Sequence, residues 1–134
     1  MNAEKLVSKT MQFFPNMRLS VAEIESTPAK SIPDLLAERL KDSIDQKKQL
    51  IDSATTWAFA GFFRYLTLVQ TDESWCKHLS RLDLLKEEMV LQSFTAERDV
   101  MDTYRERAMK LFDSLLDEVR RNTVYSVMIY APKA

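Results

Sequence analysis

Apolar residues recur at helical spacing through two long stretches of this chain, and that repetition constrains the fold more than any other feature. In LVQTDESWCKHLSRLDLLKEEMVLQ, Leu68, Trp75, Leu79, Leu82, Leu85 and Met89 fall on one face at intervals of three, four or seven. In DVMDTYRERAMKLFDSLLDEVRRNTVYSVMIY, Tyr104, Ala108, Leu111, Leu115 and Val119 do the same, with Phe112 and Leu116 beside them. A half-buried strand would alternate every second residue, so this period predicts helices. The segment between the arms, SFTAER, is short and polar, and the arms are expected to fold back antiparallel as a helical hairpin. Trp75 and Phe112 lie on or beside the stripes and are expected to be largely buried.

The backbone agrees with that pattern. One glycine and four prolines in 134 residues are too few breakers for a sheet with many turns and favour long helices. The length predicts one domain, and 46% apolar residues is too rich for a disordered chain. The expected class is all-α, a helical domain of four or five helices built on a long antiparallel two-helix hairpin. Nineteen basic and 20 acidic side chains give a formal charge of -1, which offers no basic stripe for nucleic acid. The lone Cys76 can form neither an intrachain disulfide nor a multi-cysteine zinc site, which points to a reducing compartment. No apolar run approaches the ~20 residues of a membrane span, and the N-terminal MNAEKLVSKTMQFF lacks the apolar core of a secretory signal.

Upstream of the hairpin, Leu6, Val7, Met11 and Phe14 predict a short helix that stops before Pro15. Ser20 and Glu23 have capping-box spacing, so one or two turns are expected over Val21 to Ser26. The stretch from Thr27 to Pro33 reads as a linker. Residues 1–30 are therefore expected to form short helices and a linker, and residues 31–134 the helical domain. Ser31 is an expected N-cap, with Pro33 in the first turn and Asp34 where the helix dipole favours an acid. Leu36, Leu40, Ile44, Lys47 and Ile51 follow at near-heptad spacing, a narrow stripe that Lys47 interrupts. WAFAGFFRYLTLVQ is the most apolar segment and is apolar all round, so it is expected either in the core or at a contact surface. Its contact candidates are Trp57, Phe59, Phe62 and Phe63. One helix is expected from about Thr55 to Gln92.

Residues for chemistry are scarce. There is no GxxxxGK[ST] phosphate loop, and one glycine excludes a glycine-rich dinucleotide fingerprint. His78 has Ser74, Trp75, Arg81 and Leu82 as helical neighbours, none of them a carboxylate or thiolate. Cys76 points about 200° away from it around the helix. A packing role for His78 fits better than a metal or nucleophile site. The i,i+4 acidic pairs Asp83 with Glu87 and Asp113 with Asp117 lie among lysines and arginines, as on a solvated face laced with ion pairs. No catalytic residue, metal ligand or cofactor is expected, and the chain does not read as an enzyme.

The first arm, W-C-K-H-L-x-x-L-D-x-L, resembles the helical scaffold region of SecA, the protein-translocation motor, where W-[KR]-E-H-L-x-x-M-D-x-L opens a two-helix finger. Trp75, His78, Leu79, Asp83 and Leu85 match, with Leu82 for methionine. Tyr104, Leu111, Phe112 and Leu115-Leu116 continue the match. The ending R-R-N-T-V-Y-S-V-x-x-Y-x-P, Arg120 to Pro132, resembles the cyanobacterial and chloroplast branch of that family. The resemblance covers residues 68–132.

The finger tip departs from the family's L-R-G-Y-[AG]-Q-K-D-P. Gln92 replaces its arginine, Ser93 its glycine, Phe94 its tyrosine and Val100 its proline, with one residue more. The ATPase motifs and the cysteine-rich zinc tail are absent from the sequence, so the motor parts are missing.

The resemblance implies polypeptide binding in the chloroplast stroma or a cyanobacterial cytoplasm, with the thylakoid surface as a further site. The altered tip favours a SecA-derived protein that kept the hairpin and lost the motor over a domain cut from a larger SecA-like protein. The function expected of it is that of a non-catalytic assembly factor holding a client subunit of a thylakoid complex. The alternative is an accessory or fragment of the SecA-type translocation machinery. The expected partner is a protein. No nucleic acid and no transmembrane segment are expected, and peripheral membrane association stays open. Phe94, an aromatic at a polar turn, joins Trp57, Phe59, Phe62 and Phe63 as an expected partner-binding residue.

Overall fold

The computed structural model describes residues 2–54, 58–94 and 99–131. They form five helices: α1 (Ala3–Phe13), α2 (Val21–Ser26), α3 (Ile32–Ala54), α4 (Phe59–Ser93) and α5 (Val100–Ile129). The fold is all-α, and there is no strand among the described residues.

Local chemistry sets the helix ends. Asn2 caps α1, its side-chain oxygen accepting the Lys5 backbone N–H at 3.1 Å. Ser20 caps α2 by accepting the Glu23 N–H at 3.2 Å. The Glu23 carboxylate also pairs with Arg39 of α3, which with the Ser20 backbone N–H holds it below the usual carboxylate range. Ser31, Pro33 and Asp34 open α3 as their spacing requires. Asp52, in the last turn of α3, accepts the Phe59 N–H at 2.6 Å and so satisfies one of the free donors at the start of α4. The long fourth helix ends within a residue of the expected boundary and starts about four residues later.

The chain divides into two compact units, Met1–Arg64 with Val124–Ala134 and Tyr65–Thr123. In the first, Val7, Leu19, Ile24 and Ile32 make a small core over which Leu6, Val21, Leu35 and Leu36 pack. The end of α5 ties this unit together through aromatic rings. Tyr125 stacks on Phe13 at 4.8 Å and meets the edge of Phe14 at 5.6 Å. Tyr130 lies 4.5 Å from Phe62. Ile51 and Met128 are fully buried here. Lys47, one turn before Ile51, is only 4% exposed, and burial lowers its pKa below the ordinary lysine value.

The second unit is the hairpin of α4 and α5. Its contact face on α4 is Ser74, His78, Leu85 and Met89, with Leu82 half-buried. On α5, Leu115 is buried, and Tyr104, Ala108, Leu111 and Val119 are half-buried, as their spacing predicts.

Two expectations are corrected here. Trp75 is 46% exposed and Phe112 41% exposed, so neither is largely buried. Leu68 and Leu79 are exposed as well. The polar side chains Ser74 and His78 occupy the seam instead, and Trp75 lies ~100° round the helix from Ser74. Two helices alone cover only one stripe of each other, so large side chains beside the seam stay half in solvent.

Candidate polypeptide-contact surface on the hairpin

The hairpin has two unlike faces. On one, Arg81 of α4 donates to Glu118 of α5 at 2.8 Å, and Arg107 of α5 donates through both terminal nitrogens to Glu88 of α4, each at 2.8 Å. Arg107 holds the Glu88 carboxyl below its ordinary range, and Glu88 raises Arg107 in turn. These pairs bridge the two helices; the i,i+3 and i,i+4 pairs elsewhere stay within one. On the opposite face the His78 ring lies 5.5 Å from Trp75 and 6.0 Å from Phe112, edge-on to the latter. His78 is buried, and its Nδ1 has no hydrogen-bond partner among the described residues. That environment is a packing role. No group of three or more histidine, cysteine or acidic side chains suited to a metal occurs among the described residues. Cys76 is exposed.

At the far end of the hairpin, α4 stops at Ser93 and Phe94 follows, 80% exposed. Asp99 opens α5, its carboxylate accepting the Met101 N–H at 2.9 Å. Just behind the tip an open groove of about 520 Å³ lies between the arms. Its apolar lining is Met89, Val90, Val100, Met101 and Tyr104, and Lys86, Ser93 and Asp99 complete it. Methionine side chains adapt to varied apolar shapes, which suits contact with changing sequences. The spacing of Met101 and Val90 gave no warning of this groove; only their sequence positions close to a predicted turn could have.

The other expected contact residues belong to the first unit. Phe59 and Phe63 face each other at 5.9 Å, with Phe63 exposed and Phe59 half-buried. Phe62 is half-buried against Tyr130. Trp57 lies outside the described residues. Phe62 packs inside its unit, whereas Phe63 and Phe94 reach solvent.

A sequence profile of the SecA Wing and Scaffold domain matches residues 1–131. The chain belongs to the SecA wing and scaffold family. The match takes in α1 to α3 as well as the hairpin, further than the motifs of residues 68–132 reached. Among curated relatives, the protein translocase subunit SecA of Synechococcus elongatus is 29% identical over 97% of this chain and 14% of its own length. That of Prochlorococcus marinus is 28% identical over 98% of this chain and 14% of its own length. The protein translocase subunit SECA1, chloroplastic, of Arabidopsis thaliana is 25% identical over 96% of this chain and 13% of its own length. The chain thus spans about 14% of the length of the curated relatives it matches. No solved structure matches it. Among the described residues no helix is long and apolar enough to cross a membrane.

Proposed function

We propose that this chain is a scaffold-and-finger element of a SecA-type protein translocation machinery, acting in a plastid or a cyanobacterium, and that it contacts polypeptide through the tip of its hairpin. The observation that carries the reading is the family match over residues 1–131 on a chain whose hairpin ends in the exposed ring of Phe94. An aromatic ring held at the end of two rigid helices buries large area at small entropic cost when it meets a partner. The groove of Met89, Met101 and Tyr104 behind it extends the apolar contact. With no phosphate loop in its sequence, the element supplies contact and leaves energy supply to another component. The relatives named are translocase subunits, which favours this reading over a thylakoid assembly factor; neither the fold nor the relatives add support for the latter.

Placing a photo-crosslinking phenylalanine at position 94 tests the proposal in thylakoid or cyanobacterial membranes that hold an arrested precursor. Adducts with the precursor or with channel subunits are expected. Adducts confined to subunits of one photosynthetic complex would overturn the translocation reading in favour of the assembly factor. An absence of adducts would remove the tip from the mechanism.

A further inference from the structure

The hairpin carries three methionines in unlike surroundings. Met89 of α4 is 4% exposed, whereas Met101 and Met109 of α5 are 56% and 64% exposed. A thioether is oxidised where the oxidant can reach its sulfur, so exposure separates the last two from the first. Position separates them again. Met101 lines the groove behind the tip, and Met109, ~12 Å further along the helix axis, does not. Of the other methionines among the described residues, Met11 is exposed on α1, and Met17 and Met128 are buried. Met101 is therefore the one described methionine that is both open to an oxidant and part of the groove.

Within the groove Met101 and Tyr104 lie one turn apart on α5, across from Met89 and Val90 of α4. Two polar groups of the lining are already engaged. The Asp99 carboxylate accepts the Met101 N–H, and the Ser93 hydroxyl donates to the Val90 carbonyl at 2.6 Å. A new acceptor on the Met101 sulfur would thus enter a mainly apolar contact.

We infer that Met101 is a site of reversible oxidation by hydrogen peroxide or an organic hydroperoxide, and that its sulfoxide releases polypeptide from the groove. The regulation rests on the polypeptide-contact reading above. The sulfur lone pair attacks one peroxide oxygen. An S–O bond forms and the O–O bond breaks. With hydrogen peroxide, the departing hydroxide takes the proton of the transferred oxygen and leaves as water. Sulfur loses two electrons and the peroxide gains them. A sulfoxide reductase restores the thioether, removing the oxygen as water while two thiols become a disulfide. The sulfoxide oxygen either points into the contact unpaired or is drawn to Lys86 of the same lining. Both outcomes take apolar surface from a bound peptide.

The test measures binding of a dye-labelled, leucine-rich unfolded peptide to the full chain by anisotropy, before and after hydrogen peroxide. All chains carry Cys76→Ser, because that thiol is exposed and would oxidise too. Mass spectrometry reads the sulfoxide at each methionine. Oxidation of Met101 should weaken binding by about tenfold, the order expected for covering one polar group without a partner. Sulfoxide reductase with dithiothreitol should restore it. The affinity of Met101→Leu, whatever its own value, should not change with peroxide, whereas Met109→Leu should stay as sensitive as the parent. Met101→Gln should bind weakly without any peroxide. If Met101→Leu does not fold, the reductase and Met101→Gln decide the matter. An unoxidised Met101 beside an oxidised Met109 overturns the inference. So does full binding by the chain oxidised at Met101, an equal loss in Met101→Leu, or unfolding of the oxidised chain by circular dichroism. No binding by the untreated parent overturns the polypeptide reading of the groove, and the regulation with it.

Discussion

Arg107 grips Glu88 through both of its terminal nitrogens, each 2.8 Å from a carboxylate oxygen, and so bridges the two arms of the hairpin near its tip. Such a fork is specific in geometry, although exposure limits its strength. Because Arg107 depresses the Glu88 pKa, the pair contributes to stability above the ordinary carboxylate value, and that contribution fades as pH falls through the lowered folded value. A double-mutant cycle with Glu88→Gln and Arg107→Gln, followed by thermal melts, should show favourable coupling at neutral pH and none in strong acid. High salt should weaken it. Coupling that persists unchanged in acid would argue against this.

The seam and its flanks should respond differently to truncation. Leu85→Ala and Leu115→Ala remove buried side chains and should each cost about 2–4 kcal/mol. Trp75→Ala and Phe112→Ala remove half-exposed rings and should cost about 1–2 kcal/mol each. Urea titrations that rank Trp75→Ala above Leu115→Ala would place the core of the hairpin on the wrong face.

Lys47 is a cost built into α3. Burial lowers its folded pKa, so the unfolded chain binds more protons between that lowered value and the ordinary lysine value. Stability should therefore rise with pH across that window. Lys47→Met should be more stable at neutral pH, by about 1 kcal/mol, and should lack this rise. The exposed neighbour Lys48 is the control, and Lys48→Met should change little. A lowered melting temperature in Lys47→Met would mean that the ammonium is satisfied after all.

Phe94→Ala should leave the melting temperature almost unchanged, because the ring is 80% exposed. Crosslinking or binding of polypeptide at the tip should weaken by about 2 kcal/mol, some thirtyfold. Loss of stability without any specific loss of binding would make the ring part of the fold.

Helix type was legible in this sequence because period and capping agreed. Ser20 with Glu23, and Ser31 with Pro33 and Asp34, marked helix starts that the structure shows within a residue. The seam was legible on α5 from Tyr104 to Val119, where the buried and half-buried stripe is mainly apolar, although the polar Thr123 is buried further along. On α4 it was not, because Ser74 and His78 hold the seam while Trp75 and Leu79 lie outside it; hydrophobicity pointed one position too far round. The cross-helix pairs could not be read either. Glu88 and Arg107 are 19 residues apart, and no local rule says which exposed acid meets which exposed base. At the candidate site, Phe94 stood out as an aromatic in a polar turn. The groove behind it did not, since it exists only when Val90 and Met101 come together from different helices.

Tyr125 and Tyr130 carry a consequence for the order in which the chain can mature. Phe13 and Phe14 wait on the first, and Phe62 on the second. A ribosome releases these tyrosines only after α1 to α4 have all been made. The N-terminal unit therefore cannot finish during synthesis in the usual N-to-C sequence, and its aromatic surfaces stay bare until α5 has emerged. A nascent chain arrested just after Thr123 should be open to protease around Phe13 and Phe62, and one arrested well beyond Tyr130 should be closed.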